Sequence, residues 1–149
     1  MPTQIVSAQR IINAEPHEVF EVLTDASLHH VIDGSGTVRS PSGKVDRLTL
    51  GSRFGMKMKL GIPYTISSEV VEFERDKRIA WAHIGGHRWR YELEAVEGGT
   101  RVTESFDWST AIAPKGIELL HYPRRHIPNM ERTLENLDAF LQNRRHSIT

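Results

Sequence analysis

The C-terminal stretch IPNMERTLENLDAFL, residues 127–141, constrains how the rest of this 149-residue chain can fold. Its apolar residues recur at spacings of three and four, which is typical of one buried stripe on a long helix. The stripe consists of Ile127, Met130, Leu134, Leu137 and Leu141. We expect this helix to end near Arg144. Pro123 and Pro128 predict a break or kink at its start, after a shorter helical piece over residues 116–121.

Upstream of this helix, apolar and polar residues alternate with the period of two that is typical of strands. The clearest case follows Ser52, where Phe54, Met56, Met58 and Leu60 share one face. Four further segments continue the pattern, with charged or glycine-rich turns between them. They are YTISSEVVEFE, RIAWAHI, HRWRYELEAV and TRVTESFDWS. Together they predict an antiparallel meander, with one more short strand around residues 37–39.

The N-terminal part predicts a strand over residues 4–12 and then a short helix in EPHEVFEVLTD, with Pro16 in its first turn. The segment ASLHHVID adds a turn or two of helix. A meander with one apolar face needs a cover, and the C-terminal helix has the only long apolar stripe that can supply it. The sequence therefore predicts an α+β fold, with residues 1–149 as a single domain.

Composition argues against several classes of protein. Lysine plus arginine equals aspartate plus glutamate at 19 each, so there is no basic excess for nucleic acid. There is no cysteine, which excludes disulfides and thiolate metal sites and fits a reducing compartment. No apolar run approaches the length of a membrane span, and the N-terminus has no signal-peptide pattern. We expect a cytoplasmic protein without membrane insertion, either monomeric or dimeric.

The segment WAHIGGHRWRYEL, residues 81–93, is a predicted hairpin whose loop length determines which way its aromatic residues face. A two-residue loop, made of the two glycines, places Trp81 opposite Arg90 on the outer face. A three-residue loop that also includes His87 places Trp81 opposite Tyr91 on the inner face. The sequence permits both registers.

We expect the three-residue loop, because it buries Trp81 beside Ile79, a gain of a few kcal/mol at roughly 25 cal/mol per Å². In that register His83 lies opposite Trp89 on the inner face, while both arginines of HRWR lie outside. The inward aromatic residues are either plain core or the wall of a pocket. An inward His83 needs a hydrogen-bond partner or a ligand.

Glu104 is the sharpest anomaly in the strand pattern. It shares its parity with three apolar residues, Val102, Phe106 and Trp108. A carboxyl group on an apolar face is paired or has its pKa raised, and such groups cluster at functional sites. Alternatively, a β-bulge turns Glu104 outward, or it forms an internal hydrogen bond to a neighbouring strand. If it faces inward, Glu104 with His83 or Tyr91 supplies the polar end of an apolar site and a possible acid/base group.

The residues expected to contact an apolar ligand lie on the inner strand face and on the helix stripe. They are Phe54, Met56, Met58, Tyr64, Trp81, Trp89, Phe106, Trp108, Met130 and Leu134. Three adaptable methionines suit a site for varied apolar molecules, although methionine equally fills gaps in a core.

Two histidine-rich segments are weaker candidates. HHVID, residues 29–33, offers ligand types for a metal, but adjacent histidines point apart on a helix, so we expect no metal site. HYPRRHIP, residues 121–128, is expected to form a solvated basic face, or else a gate or anion contact at a pocket mouth. His87 is expected to be solvated.

Five segments, in order along the chain, carry a family resemblance. They are INAEPHEVFEVLTD, GSRFGMKMKLG, VVEFERDKRIAW, YELEAVEGGTRVTESFDWS and MERTLENLDAFL. They resemble the START-like, or SRPBCC, superfamily, specifically its polyketide cyclase/dehydrase and lipid transport branch. The resemblance covers nearly the whole chain. It implies a helix-grip fold, in which a curved antiparallel sheet of about seven strands wraps around a long C-terminal helix, with two short helices after the first strand and a cavity inside.

The functions that the resemblance implies range from lipid carriers to cyclases and co-chaperones, so the fold alone does not select one. We expect binding of a small hydrophobic molecule, lipid or polyketide-like, in that cavity, without a cofactor. The first alternative is a cyclase/dehydrase-type enzyme in which Glu104 with His83 or Tyr91 moves a proton. The second is a co-chaperone-like interaction module that uses its outer surface. A cyclase needs at least two convergent acid/base groups, whereas a binding protein needs one orienting group.

Overall fold

A computed structural model of the protein describes residues 4–33, 38–42, 47–60, 62–82, 86–110 and 122–148. The chain starts with strand β1, Ile5–Ile12. Two short helices follow, α1 over Pro16–Leu23 and α2 over His29–Ile32, with a single 3₁₀ turn at Ala26–Leu28 between them. Pro16 starts α1 at a position where a backbone N–H has no partner within the helix.

Six further strands complete one antiparallel sheet. They are β2 (Val38–Ser42), β3 (Arg53–Leu60), β4 (Ile62–Glu74), β5 (Arg78–Ala82), β6 (Arg88–Val96) and β7 (Gly99–Asp107). The order across the sheet is β1-β7-β6-β5-β4-β3-β2, so consecutive strands from β2 to β7 form a meander and β1 closes against the last of them. The α+β helix-grip prediction, including about seven strands and two short early helices, is confirmed.

The C-terminal helix, α3, spans Tyr122–Ile148 and packs against β1 and β7. Four residues of its predicted stripe are buried, namely Met130, Leu134, Leu137 and Leu141. The predicted break at the prolines is wrong, because one helix runs through Pro128, and the predicted end near Arg144 is wrong as well, because the helix continues to Ile148. Pro128 lies inside the helix, where it removes one backbone hydrogen bond and its ring crowds the carbonyl one turn earlier, yet α3 continues through it. The helical piece predicted at residues 116–121 lies outside the described residues.

The β5–β6 hairpin has the predicted face but a different register. Trp81 lies opposite Trp89, and Ile79 lies opposite Tyr91. The predicted pairing of Trp81 with Tyr91 is therefore wrong by two residues, although Trp81 is buried on the inner face as predicted. Burial fixes which residues face inward, but a slip of two residues preserves every face, so burial alone cannot distinguish the two registers.

A β-bulge in β4 changes which face of the sheet its side chains point to. Val70 lies opposite Trp81 and Glu72 opposite Ala80, with a shift of register between them. Plain alternation from Val70 would turn Glu72 inward. The bulge instead places Glu72 on the outer face and brings Phe73 opposite the buried Ile79. The inner face toward α3 is thereby kept largely apolar.

Candidate functional site

Glu104 lies on the inner face of β7, which is flanked by the edge strand β1 and by β6. It is opposite Ala8 of β1 on one side and Tyr91 of β6 on the other, in an uninterrupted register. Its side chain is buried, with the residue only 4% exposed. Parity therefore predicted its orientation correctly, and no bulge turns it outward.

Tyr91 is the hydrogen-bond partner of Glu104. The hydroxyl of Tyr91 donates to Oε1 of Glu104 over 2.6 Å, and both groups are buried. The internal hydrogen bond to a neighbouring strand, one of the alternatives from the sequence, is thus present. The second carboxyl oxygen of Glu104, Oε2, is buried and has no hydrogen-bond partner in the part of the chain that the structure describes.

Burial keeps this pair protonated. It raises the pKa of Glu104 from 4.5 to about 8; the hydrogen bond from Tyr91 opposes that rise, and the charge of Asp33 adds to it. Burial, with Glu104 and Asp33, raises the pKa of Tyr91 well above its usual value. At neutral pH Glu104 is therefore a carboxylic acid. Because Oε1 accepts from Tyr91, the carboxyl proton is placed on Oε2.

An aromatic cluster flanks the pair. Trp81 lies 5.6 Å from Tyr91 and 5.8 Å from Phe54, measured between ring centroids, and His29 stacks on it at 4.8 Å. A ring nitrogen of His29, Nε2, lies 3.0 Å from the carbonyl oxygen of Leu23 at the end of α1. His29 was considered in the sequence only as a doubtful metal ligand, and it is instead part of this cluster.

A second aromatic cluster surrounds Phe106. Trp89 and His126 lie 4.8 and 4.6 Å from its ring, and His87 lies at 5.1 Å. Trp108 stacks on it at 5.9 Å. The solvated positions expected for His87 and His126 are therefore wrong, because both are half-buried against Phe106. Burial, reinforced by His87, lowers the pKa of His126 to about 4, and burial lowers that of His87.

The remaining predicted ligand contacts divide into two groups. Met130 and Leu134 are buried on α3 in the same core as Phe54 and Trp81. Met56, Met58 and Tyr64 lie in β3 and β4, where Met58 is opposite Tyr64 and Met56 opposite Ile66, but their side chains are outside the described part. His83 also lies outside the described residues.

The role of Asp33 was missed from the sequence, where it was considered only as part of the doubtful metal site HHVID. It follows α2 directly, and its charge acts on both Glu104 and Tyr91. The side-chain amide of Asn136 donates to the carbonyl of Ile32 over 3.2 Å, which ties this end of α2 to α3. The position of Asp33 depends on how α2 docks on α3, so no local sequence signal could have placed it beside Glu104.

Two grooves on the surface lie away from this pair. One, of about 480 Å³, lies between α1 and the end of α3 and includes Leu28 and Phe140. The other, of about 310 Å³, runs over the outer ends of β5 to β7 and includes Lys77 and Thr103. Within the described ranges, no three metal-ligating side chains converge, and no helix is long and apolar enough to cross a bilayer.

A seven-stranded antiparallel sheet packed against a long C-terminal helix is the fold of START-like proteins. The chain belongs to the polyketide cyclase/dehydrase and lipid transport family, whose sequence model matches residues 3–142. This confirms the resemblance seen in the sequence.

Two mycobacterial proteins are similar in sequence. Protein Rv0088 of Mycobacterium tuberculosis strain H37Rv is 38% identical over 138 residues, and protein MT0096 of strain CDC 1551 is 37% identical over 138 residues. Both matches cover 89% of this chain. The chain spans 62% of the length of each relative.

Solved structures share the fold at low sequence identity. Protein NE0264 from Nitrosomonas europaea has a TM-score of 0.74 and 20% identity, over 96% of this chain and 97% of that one. The AHSA1-like protein from Aeromonas hydrophila has a TM-score of 0.61 and 21% identity, over 92% and 94%. At these identities the likeness concerns the fold.

Proposed function

We propose that the protein binds a small, mainly apolar molecule between the sheet and α3, with Glu104 as its polar contact. The observation that carries the proposal is the carboxyl oxygen Oε2 of Glu104, which is buried without a partner among the described residues. Buried polar atoms in native proteins nearly always have a hydrogen-bond partner. A ligand oxygen at this position supplies one.

The surroundings support an apolar ligand body. The inner face around Glu104 carries Trp81, Tyr91 and Phe106, and α3 adds Met130 and Leu134 from above. An apolar lining with one or two polar groups that orient the ligand is the usual composition of a small-molecule site. Lipid transport is also part of the description of the family.

Native mass spectrometry of the purified protein and titration with Nile red, an uncharged apolar dye, test the proposal. We expect a co-purifying small molecule or saturable dye binding. The matched variants are Ala8→Leu, which adds bulk directly opposite Glu104, and Ala95→Leu at an exposed position of β6. Binding should fall in Ala8→Leu only. A protein that carries no small molecule and binds no dye would contradict the proposal. Equal binding by both variants would show that the ligand does not lie beside Glu104.

A second function, proton-transfer catalysis, is favoured by one observation. Two acid/base groups lie 2.6 Å apart, and the pKa of Glu104, raised to about 8 by burial, is close to neutral pH, where a general acid or base works best. Deuterium uptake from D₂O into the α-carbons of a bound ketone would detect this chemistry. Glu104→Gln should abolish the uptake while changing affinity by only a few-fold. Unchanged uptake in that variant would remove Glu104 from catalysis.

A further inference from the structure

We propose that the site selects an uncharged ligand that presents a carbonyl or similar acceptor oxygen to Glu104, and that it discriminates against carboxylates. The inference rests on the proposed function and specifies the ligand that this site recognises. It follows from the hydrogen-bonding state of Glu104 and from the charges around it.

The free oxygen of Glu104 is a hydrogen-bond donor. Oε1 already accepts from the Tyr91 hydroxyl at 2.6 Å, and Oε2 is buried without a partner among the described residues. Since burial raises the pKa of Glu104 to about 8, the proton stays on this carboxyl group at neutral pH. An O–H group on Oε2 needs an acceptor, and a carbonyl oxygen is the simplest neutral one.

The electrostatic surroundings oppose an anion. Burial is the main cause that raises the pKa of Glu104 and the charge of Asp33 raises it further, whereas the hydrogen bond from Tyr91 lowers it. Asp33 raises the pKa of Tyr91 as well, which is the effect of a negative charge. A ligand carboxylate would add charge beside Asp33 or would have to take up a proton. Both are unfavourable in a buried site.

Several described basic groups on the strands and on α3 are engaged elsewhere or neutral. On β6, Arg88 and Arg90 bind Glu72 on the outer face of the sheet. On the helix side, Arg10 of β1 forms an ion pair with Asp138 of α3 at 2.9 Å. His126 is held neutral, because burial lowers its pKa to about 4. None of these groups offers a counter-charge to a ligand carboxylate at Glu104.

A matched set of naphthalene probes tests the inference by isothermal titration calorimetry at pH 6.5. The set comprises 2-acetylnaphthalene, its hydrocarbon analogue 2-ethylnaphthalene, the anion 2-naphthoate and the cation 2-naphthylmethylammonium. All four have one flat ring system and differ in the polar group. Each titration is repeated in two buffers of different ionisation enthalpy, so that proton release or uptake is measured along with affinity.

We expect the ketone to bind about fivefold or more tightly than the hydrocarbon, the range expected for one net hydrogen bond. The carboxylate should bind at least about tenfold more weakly than the ketone, since it lacks a counter-charge. Ketone binding should be proton-neutral at pH 6.5 and should weaken above pH 8, as Glu104 ionises. Glu104→Gln, which keeps an N–H donor, should retain the preference for the ketone, and Glu104→Met should abolish it.

The outcomes separate this inference from the proposed function. If none of the probes binds but Nile red does, the proposed function stands and this inference fails; if neither the probes nor the dye bind and no small molecule co-purifies, both fail. If the carboxylate binds as tightly as the ketone, the proposed function stands and the selectivity is wrong. Tighter binding of the ammonium with release of one proton would also overturn the inference. It would show that Glu104 gives up its proton and binds a cationic ligand as a carboxylate. Circular dichroism of both variants confirms that they are folded, and Glu104→Gln keeps the test valid if Glu104→Met does not fold.

Discussion

Glu104 makes the stability of the protein depend on pH in an unusual direction for a carboxyl group. In the unfolded chain it ionises near pH 4.5, whereas burial raises its folded-state pKa to about 8. Between these values the folded protein holds a proton that the unfolded chain has released, so stability falls as pH rises. Glutamine at this position has no proton to lose.

Glu104→Gln is therefore expected to gain stability relative to the wild type between pH 5 and pH 8.5, by on the order of 3 kcal/mol. Urea unfolding at a series of pH values measures this difference. Glu94→Gln is the matched control, because Glu94 is on β6 with a side chain 67% exposed. If the stability of the wild type and that of Glu104→Gln change in parallel with pH, Glu104 is ionised at neutral pH, which would contradict the raised pKa.

The contribution of Glu72 to stability depends on pH in the opposite direction. Its carboxylate accepts from Arg90 at 2.6 and 3.0 Å and from Arg88 at 2.8 Å, with the side chains of Arg90 and Glu72 only 14% and 18% exposed. The hydrogen bond from Arg90 is the main cause that lowers the pKa of Glu72 to about 2. The stabilisation is present above pH 4.5 and is lost as pH falls toward 2.

Glu72→Gln should lose about 3 kcal/mol of stability at pH 6, and the deficit should disappear near pH 2. Acid and urea unfolding give the two values. The exposed pair of Glu94 with Arg101 provides the comparison, where Glu94→Gln should change stability by less than about 1 kcal/mol. Equal losses in the two variants would mean that the Glu72 cluster behaves as an ordinary surface ion pair.

At the scale of elements, the turn between β6 and β7 depends on a glycine for close packing. Gly99 has φ +139°, and a Cβ there would lie 2.0 Å from the carbonyl oxygen of Ile12 at the end of β1. Gly98, with φ +91°, has open space around it. Both positions disfavour alanine by conformation, but only Gly99 has a backbone clash as well.

Gly98→Ala should lose about 1–2 kcal/mol for its backbone conformation. Gly99→Ala should lose at least about 2 kcal/mol more, because β1 must move away from the turn. Thermal or urea unfolding of the two variants measures the difference. Equal losses would show that β1 does not approach the turn as closely as described.

Sequence periodicity predicted the elements better than their pairing. Alternation placed Glu104 on the inner face correctly, because strand parity is a local property, and the gain from burying Trp81 selected the correct face for that residue. The partner of Trp81 is Trp89 rather than Tyr91, since a slip of two residues leaves parity unchanged. The bulge that turns Glu72 outward depends on the pairing of β4 with β5, which no local pattern in β4 specifies.

The candidate site could be predicted in part. Glu104 and Tyr91 were identified from parity and residue type, and they form a hydrogen bond. Asp33 and His126 were misjudged, because their environments are created by α2 and α3 docking on the sheet. A helix stripe predicts which face is buried but not which polar residue at its margin meets the sheet.

For the whole molecule, displaced pKa values of acidic and basic groups define a window of stability, in which His87 acts in the same direction as His126. Burial lowers the pKa of His126 from 6.5 to about 4, so the unfolded chain takes up a proton there first and stability is lost as pH falls through this range. Protonation of Glu72 lowers the stability further as pH falls below 4.5. On the other side, the proton that only the folded protein holds on Glu104 lowers the stability as pH rises from 4.5 to about 8.

The effects of His126 and His87 oppose the effect of Glu104 between pH 4.5 and 6.5, where we expect the stability to be maximal. Stability should decline on both sides, and Glu104→Gln should remove the decline between pH 6.5 and 8. A series of thermal unfolding curves from pH 3 to 9 shows the profile. Rising stability of the wild type from pH 6.5 to 8 is incompatible with this scheme.

The central claim is that Glu104 is a neutral acid whose free oxygen contacts a ligand. Carbon-13 NMR of the glutamate side-chain carboxyl carbons, with Glu104→Gln to assign the Glu104 signal, tests it most directly. In the free protein this signal should titrate near pH 8, and at pH 6.5 it should shift in a saturable way as 2-acetylnaphthalene is added. Titration near pH 4.5, or a signal that saturating ketone leaves unchanged, would contradict the claim.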